Sequence, residues 1–68
     1  MQDKQPLVSV IMPVYNAENY LDESISSILN QKMQDLELIL VNDCSSDRSR
    51  EICEKYTQKD KRIITIHL

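Results

Sequence analysis

The stretch that decides the fold reads Val8-Ser9-Val10-Ile11-Met12-Pro13-Val14-Tyr15-Asn16. It is an apolar run rich in β-branched residues, and it ends in an aromatic and an amide side chain. A run this short, bounded by turn-forming residues, is typical of a strand buried on both faces. Such strands belong to parallel sheets covered by helices, and open sheets of this kind bind ligands at the carboxyl ends of their strands. We therefore expect Pro13 to Asn16 to form part of a nucleotide pocket.

Two further apolar runs predict strands at 36–42 and 62–68. The segments between the strands can each hold a crossover helix, which forces parallel pairing with right-handed connections. The predicted fold class is therefore α/β: a three-layer, Rossmann-like β-α-β-α-β half of a doubly wound sheet. Its parallel sheet would keep an open edge and one thinly covered face, and an open apolar edge invites pairing with a second chain. We expect residues 1–68 to be an incomplete domain or a protein that must oligomerise.

The starts of both helices can be predicted from capping residues. In the first helix, Asn19 is the predicted N-cap, with Asp22 completing a capping box. Apolar residues then recur at helical spacing until about Gln31. The second helix is expected to start in the turn cluster at 43–47, which supplies several N-cap candidates, and to end near Gln58.

The composition excludes several classes of function. The chain has 68 residues with a formal net charge of −3, which argues against a nucleic-acid-binding surface. Glycine is absent, so neither a Walker phosphate loop nor a dinucleotide fingerprint is present. No run approaches the ~20 apolar residues of a transmembrane helix, and no secretory signal opens the sequence. We therefore expect neither a nucleic-acid-binding protein nor a membrane-spanning one, and the expected localisation is cytoplasmic.

The two cysteines, Cys44 and Cys53, are too few for a disulfide framework. We expect both to be reduced thiols, with Cys53 packed on a helix and Cys44 in a loop; a bridge between them is the less favoured alternative. Together with the single histidine, His67, they are also too few for a zinc site. His67 is therefore interpreted as a structural or exposed residue.

The candidate site lies where two parallel strands end at the same edge of the sheet. Tyr15 follows the first strand and Asp43 follows the second, so the two should be neighbours across one crevice. Tyr15 offers a flat ring for stacking on a base, worth ~1–3 kcal/mol. Asp43 offers a carboxylate that can accept a hydrogen bond from a base imide N–H, worth ~1.5–3 kcal/mol. Pro13 and Val14 would wall the pocket with apolar surface.

Each of these residues also has a structural alternative. Tyr15 could cover the end of the sheet as a half-buried aromatic, and Asp43 could cap a helix, because anions favour helix N-termini. The capping role is the preferred interpretation for Asp47. Asn16 is interpreted as a structural residue that ties the turn.

The residues also carry a resemblance to a known family. The opening stretch Val8 to Asn16, followed by Tyr20-Leu21, Ser24-Ile25 and Ser27-Ile28-Leu29-Asn30-Gln31, resembles the start of family 2 glycosyltransferases. The continuation Leu36-Glu37-Leu38-Ile39-Leu40-Val41-Asn42-Asp43-Cys44-Ser45-Ser46-Asp47 is similar to their second signature, a strand leading into an acidic, serine-containing turn. The two motifs occur in the expected order, and the resemblance covers nearly the whole chain from Leu7 onward.

The resemblance implies a GT-A fold that binds a nucleoside-diphosphate sugar, most often a UDP-sugar. It also implies transfer of the sugar to a saccharide or lipid-linked acceptor, as in polysaccharide biosynthesis, by one inverting displacement. By their match to the family motif, Tyr15 would stack on the base and Asp43 would hydrogen-bond to it. Pro13 and Val14 match positions that line the nucleoside site, and Glu18 is a weaker match.

The departures from the family pattern limit what these residues can do alone. A divalent metal, Mn or Mg, is expected for the full-length enzyme, but the family's Asp-x-Asp motif and its general base lie beyond Leu68. We therefore expect no catalytic and no metal-binding residue in this chain, and no activity from it alone. Asn42 and Cys44 stand where the family often has Asp and Gly. The full-length protein could associate with a membrane through segments outside this region, and the alternative function is a non-catalytic α/β module that oligomerises through its open sheet edge.

Overall fold

A computed structural model of the protein describes residues 8–31 and 35–68. Three strands alternate with two helices in these ranges: β1 Val8–Val14, α1 Leu21–Leu29, β2 Leu36–Asn42, α2 Ser49–Lys59 and β3 Ile63–His67. The strands pair in parallel in the order β1-β2-β3. Among the described residues both outer strands, β1 and β3, have a free edge. The predicted α/β class, element order and open parallel sheet are confirmed.

Both helices pack on the same face of the sheet. The core joins side chains from both helices with alternate residues of the strands: Val14, Ala17, Leu21, Ile25, Leu36, Leu38, Leu40, Cys53 and Ile63. Because successive side chains of a strand point to opposite faces, this set places α1 and α2 on one side. The described residues therefore build two of the three predicted layers.

The opposite face of the sheet is apolar, and none of the described residues covers it. Two rows of side chains cross the three strands there: Ile11, Ile39 and Ile64, then Pro13, Val41 and Ile66. Ile11 is 66% exposed, Ile64 46% and Ile66 44%. The expectation of a thinly covered face is confirmed. The expectation that the first strand is buried on both faces is wrong among the described residues, because both helices cover the same side of the sheet and β1 is largely exposed.

The first helix starts later than predicted, and its capping box is absent. α1 begins at Leu21, and its N-cap residue is Tyr20, which makes no side-chain capping hydrogen bond. The carbonyl of Ala17 accepts hydrogen bonds from the backbone N–H groups of Tyr20 at 3.1 Å and Leu21 at 2.8 Å. A backbone turn thus satisfies donors that a cap side chain would otherwise bind. The predicted pair of Asn19 and Asp22 is wrong as a capping box.

Neither helix in the described ranges has the length and hydropathy of a membrane-spanning segment.

Candidate functional site

The carboxyl ends of β1 and β2 lie side by side at one edge of the sheet. Val14 is in register with Asn42, and the backbone N–H of Asp43 donates to the Val14 carbonyl at 2.9 Å. Tyr15 and Asp43 therefore leave the sheet from adjacent strands. Tyr15 is 64% exposed and Asp43 is exposed, and within 8–31 and 35–68 neither side chain has a hydrogen-bond partner. The two predicted base-binding side chains are both available to a ligand.

The loops that follow these two strands are joined by hydrogen bonds through Asn16. Its side-chain oxygen accepts from the backbone N–H of Ser46 at 2.8 Å and from the Ser46 hydroxyl at 3.3 Å. Its own backbone N–H donates to the Ser45 hydroxyl at 3.0 Å. Asn16 adopts a φ of 47°, in the left-handed region that Asn tolerates better than most residues. The predicted structural role of Asn16 is confirmed, and its contacts fix the separation of the loops that carry Tyr15 and Asp43.

A second set of hydrogen bonds joins the same loops next to the core. The backbone N–H of Ala17 donates to the buried Ser49 hydroxyl at 2.8 Å. Asp47 accepts from the backbone N–H of Glu18 at 3.1 Å and from that of Ser49 at 2.9 Å. Burial raises the pKa of Asp47, but hydrogen bonds from Ser49 and from the Glu18 backbone outweigh burial and lower that pKa below its usual value. Asp47 thus binds the N–H of Ser49, the first residue of α2, but the N-cap residue of this helix is Arg48, which makes no side-chain capping hydrogen bond, so the N-cap predicted at Asp47 lies one residue too early.

The Glu18 carboxylate binds the start of α2. One carboxylate oxygen accepts from the backbone N–H of Arg48 at 2.8 Å, where the positive end of the helix dipole favours an anion. Glu18 also lines a groove of about 360 Å³ between the helices, with Asn19, Asp22, Arg48, Ile52, Lys55 and Tyr56. Tyr15 and Asp43 do not line this groove. The structure therefore brings Tyr15 and Asp43 together and directs Glu18 towards α2.

Pro13 and Val14 face opposite sides of the sheet. Val14 is only 1% exposed and belongs to the core, so it supports the site from beneath and presents its carbonyl to Asp43. Pro13 is exposed and lies beside Val41 on the uncovered face. Apolar surface at the strand end is thus offered by Pro13 rather than by the Val14 side chain.

A polar pair beneath Asp43 was not predicted from the sequence. Asn42 is 3% exposed, and its side-chain nitrogen lies 3.0 Å from His67 Nδ1. The Asn42 side-chain oxygen is buried and has no hydrogen-bond partner among the described residues. His67 Nε2 lies 3.4 Å from a carboxylate oxygen of Glu54. The sequence signal for this pair was a polar residue, Asn42, at the end of an apolar strand. The single histidine, His67, ends the neighbouring parallel strand.

Both cysteines are free thiols, as predicted. Cys53 is buried in the core, and burial, followed by the negative charge of Glu54, raises its pKa. Cys44 is exposed, and its thiol lies 3.4 Å from the Leu68 carbonyl oxygen. Cys44 also has a φ of 54°, a conformation that favours glycine. This is the position at which the resemblance led us to expect glycine.

The described residues do not fit a divalent metal. They contain no cluster of three or more His, Cys, Asp or Glu side chains that could hold a metal ion. Near the ends of β1 and β2, the carboxylates of Glu18 and Asp47 accept hydrogen bonds from backbone N–H groups.

Comparison with known proteins identifies the same family as the two sequence motifs. The model of the family "Glycosyl transferase family 2" matches residues 9–68. The chain is 53% identical over 62 residues to the uncharacterized glycosyltransferase EpsJ of Bacillus subtilis (strain 168), covering 91% of this chain and 18% of that protein. The chain thus spans about a fifth of the length of this relative.

Solved structures give the same result for the fold. TarS 1-349 from S. aureus is similar with a TM-score of 0.77 and 36% identity, over 90% of this chain and 18% of that one. The mannosyltransferase PcManGT from Pyrobaculum calidifontis, solved in complex with GDP-Man and Mn2+, has a TM-score of 0.79 and 22% identity, over 94% and 20%. At that identity the second likeness concerns the fold alone. The described elements are the β-α-β-α-β part of a GT-A-type glycosyltransferase fold, and the chain belongs to glycosyl transferase family 2.

Proposed function

We propose that residues 1–68 are the N-terminal nucleotide-binding segment of a glycosyltransferase domain that continues beyond them. The donor of the complete enzyme is a UDP-sugar. The sugar is transferred to a saccharide or lipid-linked acceptor with inversion at its anomeric carbon. The observation that carries this proposal is the pair of exposed side chains, Tyr15 and Asp43, at the ends of adjacent parallel strands. The presence of GDP-Man in the complex of PcManGT supports a nucleotide sugar as the donor.

Each residue of the site has a distinct part in this proposal. The Tyr15 ring stacks on the base, and the Asp43 carboxylate accepts a hydrogen bond from the imide N–H of the base. Pro13 adds apolar surface beside the ring, and Val14 supports the strand end through its carbonyl. Glu18 acts indirectly, because its carboxylate holds the start of α2 and its backbone N–H binds the Asp47 carboxylate.

The hydrogen-bonding pattern of the base supports UDP over CDP and ADP. Uracil presents an imide N–H where cytosine presents an unprotonated ring nitrogen, so a carboxylate acceptor favours the first and repels the second. Adenine also lacks a ring N–H at the corresponding edge. Guanine has one, but it is a larger base, so the comparison of UDP with CDP isolates the contact of Asp43 most cleanly.

Other parts of the activity are proposed for the complete protein. A divalent ion, Mn or Mg, would be held by residues outside this chain, and the Mn2+ present with PcManGT supports that expectation. The base that accepts the proton of the acceptor hydroxyl would also lie outside it. The enzyme would work in the cytoplasm, with any attachment to a membrane through other segments.

An amide NMR titration of the 68-residue chain with UDP, CDP, GDP and ADP tests the proposal. We expect saturable shifts centred on Tyr15 and Asp43 with UDP and much weaker shifts with CDP and ADP. A dispersed spectrum that responds to none of the four nucleotides would contradict it. Equal responses to UDP and CDP would contradict the role of Asp43 while leaving stacking on Tyr15 intact.

A second function, assembly without catalysis, is favoured by the uncovered apolar face. Its exposed isoleucines, Ile11, Ile64 and Ile66, lie next to two open strand edges, and such surfaces mark interaction sites. Sedimentation velocity of the chain over a range of concentrations tests this function. A concentration-dependent oligomer together with no response to nucleotides would favour the assembly module over the nucleotide-binding segment.

A further inference from the structure

We propose that His67 is a positioning residue for the nucleotide site. The neutral imidazole accepts a hydrogen bond from the Asn42 amide and thereby positions the end of β2, which Asp43 follows. Uptake of a proton by the imidazole disturbs this hydrogen bond. The inference rests on the proposed function for its binding readout, because Asp43 is the residue that it positions.

Asn42 occupies a central position at the end of the sheet. It is in register with Val14 on one side and His67 on the other. Its carbonyl accepts from the backbone N–H of Leu68 at 2.9 Å, and the N–H of the following residue, Asp43, donates to the Val14 carbonyl at 2.9 Å. The backbone around Asn42 therefore connects all three strands one residue before the proposed base contact, and a change at its side chain acts directly on that connection.

The contact between Asn42 and His67 defines the tautomer of the histidine. The amide nitrogen of Asn42 can only donate, so His67 Nδ1, at 3.0 Å, must accept. The ring proton of the neutral imidazole is then on Nε2, which lies 3.4 Å from a carboxylate oxygen of Glu54 on α2. His67 thus links the end of β2 to helix α2 in its neutral form.

One carboxylate and one neutral amide face the His67 ring. From α2, the charged group that faces the ring is Glu54, which also binds Arg50 Nε at 3.4 Å. From β2, the facing group is the neutral amide of Asn42. The remaining residues that line the adjacent cavity of about 420 Å³ are uncharged: Thr57, Gln58 and Thr65. The Nε2–H of the neutral ring therefore faces a carboxylate, and a second ring proton has to enter at Nδ1, against Asn42.

Protonation changes the contact on the other side of the ring. An imidazolium carries N–H groups on both nitrogens, so its Nδ1–H would face the donor N–H of Asn42. Two donors in contact are unfavourable, and the pair either separates or the amide rotates by half a turn. Rotation would place the Asn42 oxygen, which has no partner among the described residues, against the new N–H. Either response alters the support immediately behind Asp43.

The substitution His67→Asn provides a matched non-titrating variant. An asparagine side chain can offer an oxygen near the position of Nδ1, and it cannot take up a proton. UDP affinity is measured by isothermal titration calorimetry for both proteins between about pH 5.5 and about pH 8, the range in which histidines change charge. Ionisation of the diphosphate and of other groups affects both proteins, so the ratio of their affinities isolates His67.

We expect the two proteins to bind UDP equally at the alkaline end of this range. At the acidic end, the wild type should bind about fivefold more weakly than His67→Asn, the effect of one disturbed hydrogen bond. A ratio that stays constant across the range would overturn the proposal.

A readout without nucleotide separates this inference from the proposed function. In NMR spectra of the free chain, the Asn42 side-chain amide and the Asp43 backbone amide should follow the titration of the His67 ring in the wild type, and the same signals in His67→Asn should not. If they follow it and UDP does not bind, the proposed function fails while the coupling stands. If UDP binds and neither amide follows the ring, the positioning role is overturned.

Discussion

Asn16 and Ser46 are separated by 30 residues in sequence and are joined by a hydrogen bond of 2.8 Å from the Ser46 backbone N–H to the Asn16 side-chain oxygen. This bond holds the loop after β1 against the loop after β2. The chain thus fixes the relative position of Tyr15 and Asp43 with a side chain that belongs to neither a helix nor a strand.

Two substitutions of Asn16 distinguish the stabilisation by its side-chain hydrogen bonds from the cost of its backbone conformation. Asn16→Gly removes the bonds and keeps access to a φ of 47°, so it should lower the free energy of unfolding by about 1 kcal/mol. Asn16→Ala removes the same bonds and also places alanine in a left-handed backbone conformation, which should lower the free energy of unfolding by a further ~1–2 kcal/mol. Urea unfolding of both variants measures the difference. Equal destabilisation by the two substitutions would show that the backbone conformation costs nothing at this position.

Cys44 offers the opposite test, because its backbone conformation suits glycine. Cys44→Gly should raise the free energy of unfolding by about 0.5–1 kcal/mol, since relief of a left-handed φ exceeds the entropy that glycine adds to the unfolded chain. Cys44→Ala removes the same thiol and keeps the strain, so it should give no gain. Thermal and urea unfolding of the pair provide the comparison. A gain of the same size in Cys44→Ala would assign the effect to the thiol.

Tyr15 should affect nucleotide binding without affecting stability. Tyr15→Ala should weaken UDP binding by about 1–3 kcal/mol, because the base loses its stacking partner, whereas Tyr15→Phe keeps the ring and should bind like the wild type. The ring is 64% exposed, so unfolding free energies of both variants should stay close to that of the wild type. Loss of binding in Tyr15→Phe would instead point to the hydroxyl.

Asp43 should determine the preference for the base. Asp43→Ala should lower UDP affinity by about 1.5–3 kcal/mol, the value of a hydrogen bond to a charged group, and should reduce the preference for UDP over CDP. Titration calorimetry with both nucleotides measures the two effects. A variant that loses affinity but keeps its full preference for UDP would place recognition of the base on another residue.

Asp47 should make stability depend on pH on the acidic side. Its pKa in the folded chain is lowered from the usual 3.8, so its stabilising effect is complete above about pH 4. That effect is lost as the pH falls through the lower folded value. The difference in unfolding free energy between the wild type and Asp47→Asn should therefore shrink as the pH is taken from about 5 to about 2. A difference that grows towards acid would contradict the lowered pKa.

The parallel strands and the approximate location of the site could be predicted from short-range patterns. The apolar runs at 8–14 and 36–42 are long enough for buried strands, and a crossover helix between them permits only parallel pairing. Parallel pairing alone then brings the residues after each strand, Tyr15 and Asp43, to the same edge. These expectations needed no knowledge of individual contacts.

The start of α1 and the partner of Glu18 could not be predicted in the same way. The carbonyl of Ala17 replaces the expected Asn19 cap because that loop is pulled onto the core, where Ala17 is buried and bonded to Ser49. Glu18 binds the Arg48 backbone 30 residues away. Both outcomes depend on how two loops meet once the sheet has assembled.

The sequence by itself determined the element order, the apolar core of the sheet and the pair of exposed side chains at its edge, because hydrophobic periodicity and turn residues act over a few residues. Only the tertiary structure decided that both helices share one face, that Asn16 bridges two loops, and that Asn42 is buried against His67. These features depend on strand register and on packing between distant segments. Such contacts contribute to stability only when the whole sheet has formed.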